Sequence, residues 1–411
     1  LRKLAFEYFF ARRIVFHSDQ RAVSVLVIWL AIISIALAVA TMEIAISVKN
    51  GFEREIQNKV VGFGAHLQIG NYLSMMDTEI KPLPRSLPEI TTLDTLPYVT
   101  SVSPYVLDIG LYKSDIMEDI WLKGVDSSYQ WDFMEESLVE GRIPVVDSQH
   151  PSLEILISVK QSQRFELNVG DKLRLYFVKE LNDVPRIRPM TIVGIYETGM
   201  QEFDNKWAFC DMRVLQKLWD LGPDDVLGFE VNLTDLSMLQ SATETVNDII
   251  PIEYSASPIN ERFPEIFGWL GMIRQNVQLI FVLMYIVAII NMTTVILILI
   301  IERTRTIGVL QALGLTRTRI RRVFVFQAFF LILIGVFIGN LLGLGLLYSQ
   351  DIWGWLKLGQ ENYYLKEVPV EWLWDKFLWI NLGIVLVCTF SMYLPTWMIS
   401  RITPVEAIRF E

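Results

Sequence analysis

Polar and apolar positions are unevenly mixed along this chain. Four stretches carry no charged residue: 22–42, 275–301, 323–350 and 377–400. About 20 apolar residues in a helix cross a bilayer core, so each stretch predicts a transmembrane helix. A buried core helix is the competing reading for any one of them. The first reads as an anchor and not as a cleavable signal. It is too long, and Glu43, Lys49 and a charged amphipathic stretch follow it in place of a small-residue cleavage site. Phe52, Ile56 and Val60 recur at helical spacing there. The first helix, 22–48, is therefore expected to continue as a stalk to about residue 61.

The period changes over 49–274. Strand-like runs fall at 66–69, 99–106, 120–122, 153–158, 172–177, 191–195, 206–210 and 229–232, with Gly, Pro and Asn turn signals between them. Helical spacing falls at 85–93, 161–167, 212–218 and 236–247. This predicts a mixed α/β domain, read as two lobes, with 71–98 and 241–275 as polar connectors to the stalks.

Charge sets the orientation of the spans, because basic loops stay in the cytoplasm. Residues 1–21 hold five Lys/Arg and two acids, and 302–322 hold six Arg and one acid. The 349–376 loop has three Lys against five acids, and 49–274 has 20 basic against 35 acidic residues. The expected order is then a cytoplasmic N-terminus (1–21), helix 1, an outer domain (49–274), helix 2 (275–301), a cytoplasmic loop (302–322), helix 3 (323–350), an outer loop (351–376), helix 4 (377–400) and a cytoplasmic tail (401–411). The fold class is a membrane protein: four transmembrane α-helices with a large mixed α/β extracytoplasmic domain inserted between helices 1 and 2.

Composition narrows the chemistry. Of 411 residues, 52% are hydrophobic and 20% charged, with a net charge of −10. That excludes a disordered chain and argues against general nucleic-acid binding, which needs a basic face. Two Cys and three His, none at ligand spacing, leave no disulfide framework and no zinc ribbon. Cys388, within a span, reads as a small packing residue. No P-loop, G-x-S-x-G, H-E-x-x-H or C-x-x-C occurs, so no catalytic, metal or cofactor-binding residues are assigned.

Three features carry function-bearing alternatives. Glu43, at the outer end of an apolar helix, either snorkels to the interface or lines a wet cavity, and Asn291 in the second span is expected to hydrogen-bond between helices. The ten residues 179–188 between two strand-like runs are either a solvated loop tip or a projecting arm stiffened by Pro185. In 302–322, Ile307, Leu310 and Leu313 form an apolar stripe on a short helix. Thr304 or Thr306 is placed to cap its start and Gly314 its end, and Thr316 is placed to cap the helix that follows. That helix lies in the headgroup layer, serves topology through its arginines, or docks on a cytoplasmic motor.

The chain resembles the ABC permeases of the MacB and FtsX types, and within them the LolC/LolE-type permeases of lipoprotein-releasing complexes. The likeness rests on Asn50-Gly-Phe-Glu-Arg-Glu55, on Val193-Gly-Ile-Tyr-Glu-Thr-Gly-Met200 followed by Glu202-Phe-Asp204, and on Ile307-Gly-Val-Leu-Gln-Ala-Leu-Gly314. It also rests on Tyr393-Leu-Pro-Thr-Trp397 with Pro404-Val-Glu-Ala-Ile-Arg-Phe-Glu411. The chain departs from the family pattern at Ser158, Thr306 and Ala328, which leaves a homodimer and a heterodimer with a paralogue both open. The resemblance implies that Thr304, Thr306, Ile307, Gly308, Leu310, Leu313 and Gly314 contact a separate P-loop ATPase subunit, present in two copies, which binds ATP and Mg. It implies that the hairpin with Glu180, Asp183, Val184, Pro185, Arg186 and Arg188 recruits a periplasmic lipoprotein carrier. It also implies a cavity for acylated lipoprotein and membrane lipids along the first two spans, whose wall is assigned to Met42, Glu43, Ile46, Phe52, Val277 and Phe281. The function expected is a non-catalytic permease subunit in the bacterial inner membrane that extracts lipoproteins. One rival is a mechanotransmission permease that drives an outer partner without carrying lipid. Another is a membrane-tethered enzyme with its site in 62–270, against which the missing nucleophile–base signature argues.

Overall fold

The computed structural model describes residues 22–71, 81–113, 117–146, 151–178 and 184–396. In chain order the longer helices are α1 (Ala22–Gly64), α2 (Pro88–Asp94), α3 (Val159–Phe165), α4 (Met212–Leu218), α5 (Leu239–Ile249), α6 (Pro264–Glu302), α7 (Thr304–Ala312), α8 (Arg317–Trp353) and α9 (Trp374–Ser391). The strands are β1 (Leu67–Asn71), β2 (Leu83–Pro84), β3 (Val99–Lys113), β4 (Met117–Val125), β5 (Leu138–Gly141), β6 (Glu154–Ser158), β7 (Lys172–Phe177), β8 (Arg186–Tyr196), β9 (Trp207–Asp211), β10 (Asp225–Val226), β11 (Gly228–Leu233) and β12 (Tyr254–Pro258). Two compact units result. Among the described residues, one holds 22–53, 270–357 and 367–396, and the other holds those of 54–269 and 358–366.

In the first unit α1, α6, α8 and α9 are long and apolar enough to cross a membrane. α9 stops at Ser391 and a further turn, Tyr393–Thr396, follows. Pro395 has no N–H to bond back to Ser391, so the break falls where proline dictates. The rest of the expected fourth span, 397–400, lies outside the described residues. One apolar cluster joins Ile32, Ile35, Val39 and Met42 of α1 to Met292, Ile296 and Leu299 of α6, Leu331 and Ile332 of α8, and Ile384 and Cys388 of α9. Cys388 packs there, as its place in a span predicts. Gly335, Gly339 and Gly343 form a small-residue stripe on α8. A Cβ at Gly335 would stand 2.8 Å from Ile35 Cβ, and one at Gly339 would stand 2.7 Å from the Ala36 carbonyl oxygen. Glycine is what lets the two backbones approach in a bilayer. Asn291 donates to Ser34 Oγ, the bond between helices that its position predicts. Leu26, Leu30, Ile33 and Leu37 of α1 face outward, at a spacing that gives lipid a continuous apolar stripe.

The second unit is mixed α/β. β3 pairs with β4, β4 with β9, β9 with β6, β6 with β8 and β8 with β7; β7 then returns to β3, closing a ring. From β3 the sheet continues through β11 and β1 to β12, and β5 hangs on β8. Among the described residues the two expected lobes are thus one ten-stranded sheet sharing a long strand. β3 runs past the expected end at 106 to Lys113 because Gly110 is not a breaker. A Cβ there would lie 3.3 Å from Leu175 and Phe177 of β7, so glycine marks the close approach that shuts the ring. The reading of 241–275 as a connector is also corrected. It contains α5 and an edge strand, β12, paired to β1 from Leu67↔Pro258 to Asn71↔Tyr254. Its Tyr-Ser-Ala-Ser-Pro sequence is too polar to look like a strand, and Pro258 is tolerated because the strand is an edge. α3 starts two residues before the expected 161, on a capping box in which Ser158 and Gln161 bond reciprocally. The Ser158 hydroxyl also donates to the Asp204 carbonyl, which gives the departure at this position a structural use.

Candidate functional site

The segment between the second and third spans folds as expected into a short helix, with different capping. Arg303 stands at the N-cap of α7 without a side-chain cap. Thr304 Oγ1 instead donates back to Ile300 O (3.1 Å) and Ile301 O (2.7 Å), closing the end of α6. At the other end Gly314 takes φ +90°. Gly314 N–H donates to Gln311 O and Leu315 N–H to Leu310 O, each 3.0 Å, which is a Schellman motif. Thr316 stands at the N-cap of α8 without a side-chain bond. The stripe divides. Ile307 and Gly308 are buried, and Leu310 packs on the span core with Leu315. Leu313 is 74% exposed, beside Val309 at 46%. A cavity of about 140 Å³ lies under the helix, lined by Arg303, Thr306, Ile307, Leu310, Leu315 and residues of α8. One face of α7 is thus seated on the spans, and the face with Arg305, Val309 and Leu313 is open.

The residues expected to wall a lipid cavity are placed differently from one another. Met42 and Glu43 are fully buried, Phe52 is nearly so, and Ile46 and Phe281 are half-buried against the bundle core. Val277 is half-buried too. Glu43 is enclosed by its neighbours. Asn381 Nδ2 of α9 donates to Glu43 Oε1 at 3.2 Å, and Asn381 and Asn340 of α8 exchange amide hydrogen bonds of 2.7 and 2.9 Å. Glu43 Oε2 has no hydrogen-bond partner among the described residues. One buried carboxyl group and two half-buried amides therefore link α1, α8 and α9.

The arm is shorter at its base than the sequence suggests. β8 begins at Arg186, paired with Phe177, and Arg188 pairs with Leu175, so the two arginines belong to the hairpin's stem. Glu180 and Asp183 lie outside the described residues. Val184 is 88% exposed. Arg186 donates to Leu218 O and to Asp220 Oδ2 (3.1 Å), which ties the stem to the end of α4.

Sequence reasoning missed two polar constellations in the α/β unit. The first closes α1. Its C-terminal carbonyls, the negative end of the helix dipole, receive Lys123 Nζ on Phe63 O and Arg262 Nη1 on Gly64 O, each 2.8 Å. Lys123 pairs with Glu230 at 2.6 Å, both fully enclosed. Burial pushes the Lys123 ammonium down from its ordinary value while Glu230 opposes it. The second constellation is the 196–204 segment of the family-like motif. Asp204 accepts from Thr198 N (3.1 Å), Thr198 Oγ1 (2.7 Å) and Gly199 N (2.9 Å). Phe203 stacks on Phe63 of α1 at 3.9 Å between ring centroids. Burial raises the Asp204 carboxyl above the usual carboxylate range against these bonds. The sequence signal was the motif itself; what it binds is contributed by residues distant in the chain.

Comparison with known proteins agrees with this geometry. The FtsX-like permease C-terminal model matches residues 279–404, and the MacB-like periplasmic core domain model matches 28–249, more than half of the chain. A protein of Xylella fastidiosa (strain 9a5c) named lipoprotein-releasing system transmembrane protein LolC is 21% identical, covering 92% of this chain and 93% of its own. The protein of that name in Neisseria meningitidis serogroup B is 24% identical, covering 92% and 93%. The lipoprotein-releasing system transmembrane protein LolE of Haemophilus influenzae is 22% identical, covering 92% of each chain. The chain belongs to the family that carries the MacB-like periplasmic core domain, as a permease of the LolC/LolE type in which an α/β domain is inserted in the sequence between the first and second of its membrane-crossing helices.

Proposed function

We propose that this chain is the permease subunit of an ABC transporter of the bacterial inner membrane that extracts lipoproteins and hands them to a periplasmic carrier. The observation that carries the reading is the likeness to lipoprotein-releasing system proteins over nearly the full length of both chains. Energy is supplied by a separate P-loop ATPase, in two copies, that binds ATP and Mg; a second permease, identical or paralogous, completes the pair. The N- and C-termini and α7 lie on the cytoplasmic side, and the α/β unit lies in the periplasm.

The physical problem explains the parts. Acyl chains are held in a bilayer by about 0.8 kcal/mol per buried methylene, so three chains of about 15 methylenes sum to roughly 35 kcal/mol. Release into water is out of reach, and the chains must pass through apolar surroundings to an apolar carrier. The open face of α7 supports a motor contact, the exposed Val184 of the arm supports a carrier contact, and the bundle supports the lipid path. A photo-crosslinker on the outer half of α1, at Ile46, tests this with labelled lipoprotein. An ATP-sensitive adduct is expected; ATP hydrolysis with no adduct at any position of that half favours a permease that moves an outer partner without carrying lipid.

A further inference from the structure

The segment between the third and fourth spans is more than a connector. α8 ends at Trp353 and α9 starts at Trp374, yet residues 358–366 between them are part of the compact α/β unit. Their seat in it is specific. The Tyr364 hydroxyl donates to Glu202 Oε1 at 2.8 Å, and its carbonyl accepts from Lys59 Nζ at 3.0 Å. Its ring meets Trp269 edge-on, 6.0 Å between centroids. Lys59 also donates to Thr198 O, and Lys366 pairs with Glu197 at 3.1 Å. Gln360 packs so closely on Gly199, itself at φ +80°, that a Cβ there would stand 3.0 Å from Gln360 Cδ.

Tyr364 holds φ +60°, a left-handed conformation that costs a non-glycine residue free energy and persists only where its surroundings fix it. The contacts that fix it come from three sources. Lys59 is on α1, the helix of the first span, and Trp269 is on α6, the helix of the second. Glu197, Thr198 and Glu202 belong to the motif segment, which Asp204 braces. The junction thus gathers residues of α1, of α6, of the motif segment and of the connector between α8 and α9.

We propose that residues 358–366 are a tether that makes the α/β unit move with the third and fourth spans, and that Lys59, Glu202 and Tyr364 are positioning residues for lipoprotein release. This deepens the proposed function and rests on it. The motif segment acts as the cleat for the tether. Losing these contacts leaves both compact units folded but lets the tether slip. ATP is then hydrolysed without the α/β unit following.

The test uses the full chain reconstituted with its ATPase and partner permease in lipid vesicles, carrying acylated lipoprotein and soluble carrier. Tyr364→Phe removes one hydroxyl, and Lys59→Met removes one charge of similar length. In both, hydrogen exchange of 358–366 should accelerate while the β3–β4 amides stay protected. ATP hydrolysis should remain within about twofold of the parent while lipoprotein transferred per ATP falls about tenfold, the size of a typical coupling between sites. Lys59→Arg should restore part of the transfer. Unchanged transfer per ATP with a loosened tether overturns the proposal, and so does a tether whose exchange stays at the parental level in both variants. A parent assembly that hydrolyses ATP but transfers nothing overturns the functional reading and, with it, the tether's role in release.

Discussion

Gly339 concentrates the packing logic of the spans in one residue. A side chain there collides with the α1 backbone at Ala36. Gly339→Leu should cost about 1–3 kcal/mol of overpacking strain and lower the thermal midpoint of the detergent-solubilised protein. Gly345, with nothing within 4 Å of its Cβ position, should accept Leu without that loss. Asp108 tests the α/β unit. Burial raises its carboxyl to about 6, against hydrogen bonds that lower it. A carboxyl whose folded value lies above its unfolded one is favoured when protonated. Its contribution is therefore fully present below about pH 4 and is lost as pH rises through 6. Asp108→Asn should raise the thermal midpoint at pH 8 and leave it unchanged at pH 4; an equal shift at both pH values would remove the linkage. At this scale the sequence was only partly legible. Asn291 and Cys388 could be placed because a polar or small residue inside an uncharged run has few uses. Glu43 could not, since its partner Asn381 lies 338 positions away and no local pattern announces it.

At the scale of elements, α7 shows how one apolar stripe can divide between two surroundings. Ile307, Leu310 and Leu313 share a spacing, but the helix turns Leu310 onto the span core and leaves Leu313 in the open. Leu313→Asp should abolish co-purification of the ATPase while the protein still folds, as judged by gel filtration. Leu310→Asp should lower the yield of folded protein, because it places an unpaired charge against an apolar core. Retained association in Leu313→Asp would remove the docking role from this face. The arm makes a parallel case. Val184→Asp, in the exposed loop next to the stem, should weaken carrier binding about tenfold, or about 1.4 kcal/mol, without touching the stem. Intact binding to that variant would assign the carrier contact elsewhere. β7 and α4 were read with correct limits because each carries a local pattern, and the Gly170–Asp171 turn fixes where β7 begins. The extra length of β3 and the whole of β12 were missed because their determinants are non-local: a neighbour that requires glycine, and an edge position that tolerates proline.

For the whole molecule, the order of spans and inserted domain was legible from hydropathy and loop charge, since the bilayer imposes both. The closed ring, the buried Lys123–Glu230 pair at the end of α1 and the seating of 358–366 in the α/β unit were not, because each depends on residues that meet only in three dimensions. Under the proposed function they act together as a passive transmission element. α1 and α6 are each one long helix, α7 keeps one face open, and polar bonds inside the bundle, Asn291–Ser34 included, join all four spans. The most direct test is transfer of a labelled acylated lipoprotein to soluble carrier by vesicles containing this chain, with and without its ATPase and ATP. The account predicts transfer only when both are present, and no nucleotide hydrolysis by this chain alone. Hydrolysis by the isolated chain, or transfer at the same rate without ATP, would contradict it.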